Sequence, residues 1–211
     1  MENAKPEMLS IPGRTLDYHS DPVSGCQMYL IAGRGETFAD GLGNLITNMG
    51  HSIQGREIIS SFATLPFSGQ LEVIKSDLRE GFWHLDTVLV GRSYGAYLLL
   101  HSLAEMCDFP GRILLFSPVL GAGIIRNKKE FYGSMPPRSG RLRQLAESNE
   151  FPRFRYLEIH TGTEDNGCDP VLAEKFVSLL ENTQLHLVSG SGHTLEQNYV
   201  RNALTGFLRR A

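Results

Sequence analysis

The sequence predicts an α/β fold: a three-layer α/β/α sandwich around a mostly parallel, doubly wound sheet of about six to eight strands. Short apolar runs alternate along the chain with segments of helical period. One unit is especially clear, with the apolar run Thr87–Val90, the sharp turn Gly91-Arg-Ser-Tyr-Gly95, and an apolar helix over Ala96–Met106. At 211 residues, with no internal repeat or low-complexity tract, the chain fits one domain, 1–211, around a single core.

The elements follow in order. Leu9–Asp21 reads as one or two edge strands around the turn at Pro12-Gly13. Gln27–Ala32 is a buried strand running into Gly33-Arg34-Gly35, followed by a helix over Leu42–Asn48 and a strand over Ile53–Ser60. Ser68 is placed to cap a helix whose apolar face is Leu71, Ile74 and Leu78. Asp108-Phe-Pro-Gly111 is expected to end the helix after the glycine turn, because Pro and Gly do not extend it. Arg112–Phe116, Arg155–His160 and Gln184–Val188 are further strands, and Leu195–Leu208 is a closing helix. Between Pro118 and Phe151 the pattern lapses, apart from a helical stretch at Arg141–Glu147. A short cap or insertion over 119–152, lying between two strands, would overhang the edge where such sheets bind ligands.

Composition narrows the function classes. A net charge of -3 and a pI near 6.2 offer no footprint for nucleic acid. The three cysteines, Cys26, Cys107 and Cys168, are odd in number and lack C-x-x-C spacing. They suggest neither a disulfide framework nor a zinc site, and a cytoplasmic location is the simplest expectation. The opening residues Met1–Ser10 are polar, and no stretch is apolar enough to cross a bilayer, so no membrane partner is expected.

The chemistry centres on Ser93. A G-x-S-x-G pentapeptide gains force only where it joins a buried strand to a helix, because the strained turn then exposes the serine hydroxyl. A serine needs a base within hydrogen-bond reach and a carboxylate to orient that base. Of the seven histidines, His101 falls inside a helix and His186 inside a strand, whereas His193 follows the last strand in the loop Ser189-Gly-Ser-Gly192. His160 is the other histidine at a strand's C-terminal end. For the acid, Glu164, Asp165 and Asp169 compete in the loop Thr161–Pro170. Asp169 precedes Pro170 and a helix and reads as an N-cap, which leaves Asp165 as the better orienting acid.

These segments resemble the α/β-hydrolase superfamily, of the small serine esterase type, over nearly the whole chain. Val90-Gly-Arg-Ser-Tyr-Gly95 is similar to its nucleophile elbow, Gly162-x-x-Asp165 to its acid loop, and Ser189-Gly-Ser-Gly-His193 to its base loop. The resemblance implies oxyanion donors at the backbone amides of Tyr94 and of Arg34 or Gly35. Many members have His-Gly where this chain has Ala32-Gly33, but backbone donors survive that change.

The expected activity is hydrolysis of a carboxylic ester or related acyl bond of a small substrate, through an acyl-enzyme and without metal or organic cofactor. A thioesterase, amidase, peptidase or acyltransferase would use the same three side chains. A non-catalytic ligand-binding protein of the same fold is the reading from another class. Arg126, Lys128, Lys129, Arg138, Arg141 and Arg143 either favour acidic substrates or form a solvated face balanced by Glu130 and Glu147. No amphipathic face is strong enough to name an oligomer surface.

Overall fold

The structure, a computed structural model, describes residues 27–121 and 136–210. Its sheet is six-stranded and wholly parallel, in the order β2-β1-β3-β4-β5-β6. The strands are β1 (Gln27–Arg34), β2 (Ile53–Ile58), β3 (Thr87–Arg92), β4 (Phe109–Phe116), β5 (Phe154–Gly162) and β6 (Thr183–Val188). Helices α1 (Gly41–Asn48), α2 (Ser60–Thr64), α3 (Phe67–Gly81), α4 (Tyr94–Leu103), α5 (Arg141–Glu147), α6 (Pro170–Ser178) and α7 (Gln197–Arg209) supply the outer layers. The expected strands within Leu9–Asp21 and the cations Arg126, Lys128 and Lys129 lie outside the described residues.

Strand alternation assigns the two faces. Met28, Leu30, Val88, Val90, Leu114 and Phe116 point to the layer of α1 and α7, where Leu45, Ile46, Leu204 and Phe207 meet them. Tyr29, Ile31, Leu89, Ile113, Leu115 and Leu157 point the other way, against α3, α4 and α6. Every residue of α4 is buried, which explains its nearly uniform apolar sequence. The chain runs from β1 outward to β2 and then crosses over to β3 on the other side of β1. The C-terminal ends of β1 and β3 therefore flank a topological switch point, the place where open parallel sheets bind ligands.

Three local expectations are corrected. Ser68 lies within α3 rather than capping it; Pro66 occupies the cap position, its φ of -60° already suited to helix entry. The helix after the glycine turn ends at Leu103, with Ala104 at its C-cap, several residues before Asp108. Phe109-Pro-Gly111 instead begins β4, since a proline at the start of a strand removes no essential ladder bond. A short helix, α2, stands where β2 was expected to continue to Ser60. Within the expected insertion, Leu142, Ala146 and Phe151 join the main core. Arg138 pairs with Glu105 and Arg143 with Glu147, so these cations are at least partly compensated.

Two buried polar arrangements shape stability. Arg56, in the middle of β2, is 1% exposed and donates to both carboxylate oxygens of Asp77 at 2.6 Å. The Tyr29 hydroxyl donates to the same carboxylate at 2.6 Å. Asp77→Ala would leave a buried guanidinium uncompensated, and a loss of about 3–5 kcal/mol is expected. Urea unfolding checks this, with Tyr29→Phe/Arg56→Met/Asp77→Leu, which removes all three polar partners, recovering most of the loss.

His101 is fully buried, edge-on to Phe67 and Tyr97, and neither ring nitrogen has a partner among the described residues. Burial first, and then the Arg138 and Arg141 charges, push its pKa down to about 4. Its neutral form is the folded one, so stability is retained above the ordinary histidine pKa and falls as pH drops toward 4. The slope from this residue approaches about 1.4 kcal/mol per pH unit. His186, also lowered by burial and by His160, acts in the same direction. Urea titrations between pH 7 and 4.5 should show a shallower fall for His101→Phe than for wild type.

Candidate active site

Ser93 occupies the turn between β3 and α4 with φ 52° and ψ -123°, a backbone region that disfavours side chains. The strain persists because the surroundings fix it. The Ser93 amide donates to the Phe116 carbonyl at 3.0 Å, and its carbonyl accepts from Tyr97 and Val119 at 3.3 and 3.2 Å. Glycine is required on both sides of the turn. A Cβ on Gly95 would lie 2.3 Å from the Ala32 carbonyl oxygen, and one on Gly91 2.8 Å from the Ala96 Cα. The Ser93 side chain makes no helix-cap bond, and its Oγ lies 2.8 Å from Nε2 of His193.

His193 lies in the loop between β6 and α7, its side chain 28% exposed. Its Nδ1 is 2.8 Å and 3.1 Å from the two carboxylate oxygens of Asp165. Asp165 is fully buried beyond the end of β5 and also accepts from the amides of Gly167 and Cys168, both at 2.8 Å, and from the Thr161 hydroxyl at 3.2 Å. Burial alone would raise the Asp165 pKa; the hydrogen bonds from His193, Cys168 and Gly167 outweigh it and hold the carboxyl below its ordinary value. The loops of acid and base are knitted together. Glu164 donates its amide to the Ser191 carbonyl at 2.9 Å, and Gly190 donates to the Thr163 hydroxyl at 2.9 Å.

The competing residues sit elsewhere. Asp169 caps α6 by accepting from the Val171 amide at 2.9 Å, while Glu164 is exposed. His160 is buried on β5, between Glu158 at 2.8 Å and the Tyr199 hydroxyl at 2.8 Å.

Tyr94 is the first residue of α4, where amides point out of the helix end, the positive pole of the peptide dipoles. Arg34 pairs with Ile58 at the end of β1, and the Gly35 amide donates to the Ile58 carbonyl at 3.3 Å. That bond commits Gly35 to the β2 side, and alternation turns the Arg34 amide away from β2. The Arg34 guanidinium stacks over the Tyr94 ring, 4.4 Å from its centroid.

Sequence reading missed two carboxylates. Glu36 accepts from the Gly33 amide at 3.0 Å, the Leu42 amide at 2.8 Å and the Arg92 guanidinium at 3.0 Å. It thereby joins the end of β1, the start of α1 and the residue before Ser93. Glu158 bonds His160 and, at 2.6 Å, Arg210; His160, Arg210 and His186 outweigh burial and lower its pKa. A charged residue inside the apolar run of β5 was the available signal. Glu158, His160 and His186 are also described residues whose donor atoms lie close enough to share a cation. However, the two imidazole rings are parallel, 6° apart in plane, so their in-plane lone pairs do not converge on one ion. Arg210 already balances the carboxylate.

No protein-family model and no curated protein matches the sequence. Solved structures do resemble this one. A predicted CIB-like hydrolase from Thermoplasma acidophilum superposes with a TM-score of 0.63 at 15% identity, covering 92% of this chain and 91% of that one. The esterase RhEst1 from Rhodococcus sp. ECU1013 gives 0.63 at 12% identity, covering 88% and 91%. MenH from S. aureus gives 0.62 at 16% identity, covering 94% and 98%. The chain has the α/β-hydrolase fold.

Proposed function

We propose that the protein is a serine hydrolase acting on a carboxylic ester or related acyl bond of a small substrate. The observation that carries this reading is the continuous chain from Ser93 Oγ through His193 to buried Asp165, set at the sheet's switch point. Several proteins of the same fold, among them the one named esterase RhEst1, point to the same class of chemistry.

His193 Nε2 takes the proton from Ser93 as Oγ attacks the acyl carbon. Asp165 holds the Nδ1 proton and stabilises the imidazolium that forms. The carbonyl oxygen becomes an oxyanion, which the amides of Tyr94 and Arg34 are positioned to receive. Each such donor contributes on the order of 10²–10³ in rate. His193 then protonates the leaving oxygen, the acyl group stays on Ser93, and a water deprotonated by His193 releases the acid. The residues in this scheme need no metal or organic cofactor. Thioester and amide hydrolysis, and transfer of the acyl group to another alcohol, follow the same steps with a different leaving group or acceptor.

No helix among the described residues is long and apolar enough to cross a membrane. Cys107 is an exposed free thiol, which fits a reducing cytoplasm. The slightly acidic charge balance of the chain supports a small-molecule substrate over nucleic acid.

A fluorophosphonate probe, which reacts with activated serines, should label wild type stoichiometrically at Ser93 and leave Ser93→Ala unlabelled. A folded wild type that resists labelling would establish the ligand-binding reading instead. Asp165→Asn should lower kcat by about 10²–10⁴, because it disturbs the His193 tautomer. Asp169→Asn should stay within about threefold of wild type, since asparagine caps helices as well as aspartate does. Steady-state kinetics on p-nitrophenyl acetate compares the two, and a larger loss at Asp169 would overturn the acid assignment.

A further inference from the structure

A cavity of about 190 Å³ opens beside His193, between α1 and α7. Leu42 and Leu45 wall one side, Val200 and Leu195 the other, and Phe116 lies at the C-terminal end of β4. These walls are largely apolar, with Arg92, Ser117, His193, Thr194 and Gln197 contributing polar groups. Resting on the hydrolase reading above, we infer that this cavity is the pocket for the leaving alcohol, and that it selects a compact, largely apolar alcohol.

The side of the site follows from proton transfer. After the tetrahedral intermediate forms, His193 Nε2 must deliver its proton to the leaving oxygen. That oxygen therefore comes within hydrogen-bond reach of Nε2, about 2.6–3.2 Å. The oxyanion lies instead toward Tyr94 and Arg34, and the acyl chain takes the remaining direction from the tetrahedral carbon. The cavity has His193 in its wall, while its described lining includes neither Tyr94 nor Arg34. A substituent on the leaving oxygen enters it directly; an acyl chain would have to turn back past the imidazole.

The size of the alcohol follows from the volume. An apolar cavity of about 150 Å³ holds one benzene molecule. The present cavity therefore accepts about six to eight non-hydrogen atoms, such as a benzyl group or a butyl to hexyl chain, and a decyl chain overfills it. Burial of such a group against Leu42, Leu45 and Val200 is driven by removal of apolar surface from water. Arg92, also in the wall, has its charge offset by Glu36 at 3.0 Å, so an anionic alcohol gains little there.

Two ester series test the inference. In one, acetates vary in the alcohol, from methyl through butyl, hexyl and benzyl to decyl. In the other, methyl esters, whose leaving alcohol leaves the cavity empty, vary in the acyl chain. Wild-type kcat/KM should rise at least tenfold from methyl to hexyl or benzyl acetate and fall for decyl. Val200→Trp, which fills the pocket from α7, should lower the hexyl-to-methyl ratio of kcat/KM at least tenfold. Val200→Ala should move the optimum to longer alcohols. Both variants should leave the shape of the acyl-chain profile as it is in wild type. Val200 variants that reshape the acyl profile and spare the alcohol profile, or that reshape neither, overturn the assignment while the hydrolase reading stands. A folded wild type that cleaves no member of either series and takes no fluorophosphonate label removes both.

Discussion

The turn at Ser93 exists because two backbones approach more closely than any side chain permits. With Gly95 in place, the first turn of α4 sits against the carbonyls of Ile31 and Ala32 at the end of β1, where a Cβ would come within 2.3–2.4 Å of them. This contact brings the end of β1, which carries Arg34, alongside the residue that follows Ser93. The positive φ at Ser93 is the local expense of that packing, sustained by the bonds to Phe116, Tyr97 and Val119. A similar approach operates on the other side of the site. A Cβ on Gly162 would fall 2.0 Å from the Ser191 carbonyl oxygen, so the acid and base loops meet only because that position is bare. Glycines thus set the distances between the three loops, and side chains supply the chemistry.

Around this frame, one half-buried and one buried carboxylate hold the loops in place. Glu36 gathers the end of β1, the start of α1 and Arg92, while Glu57 accepts from the Phe38 amide at 2.5 Å. Both act on the segment after Arg34, the residue whose amide the proposed mechanism uses as an oxyanion donor. An oxyanion donor works by being fixed before the charge appears, so its value lies in the rigidity of what supports it. The negative charge of Glu36 is offset by Arg92 and spread over two amides, which limits its repulsion of a nearby oxyanion.

Much of this was legible in the sequence where local rules act alone. The strand before Gly91, the largely apolar α4, the capping role of Asp169 and the loop position of His193 all follow from period, turn chemistry and chain order. The element boundaries that shifted were those where two local rules competed. Pro66 and Ser68 both suit a helix start, and the chain enters α3 from Pro66 with Ser68 inside the first turn. Pro110 marks an end for a helix and a tolerable start for a strand, and the pairing of β4 with β3 and β5 decided it. Long-range partners were the illegible part. Nothing near Arg56 announces Asp77, and nothing near Glu36 announces Arg92 and Leu42, because each pair meets only once the sheet is assembled.

The comparison of Asp165 with Glu158 shows why position rather than residue type singles out the pair proposed as catalytic. Both are buried carboxylates from β5 and its following loop, and each lies 2.8 Å from a histidine nitrogen. The second nitrogen of His160 is committed to Tyr199, and its ring is stacked against Phe116 and His186. Arg210 further fixes the charge of Glu158. The hydroxyl on that imidazole is the phenol of Tyr199 on α7, not a serine at the end of a strand. His193 leaves the sheet on a loop, keeps part of its ring toward solvent, and directs its second nitrogen to Ser93 beside an apolar cavity. A carboxylate–imidazole pair inside a sheet stabilises packing; the same pair carried past the strand ends can move a proton to a substrate.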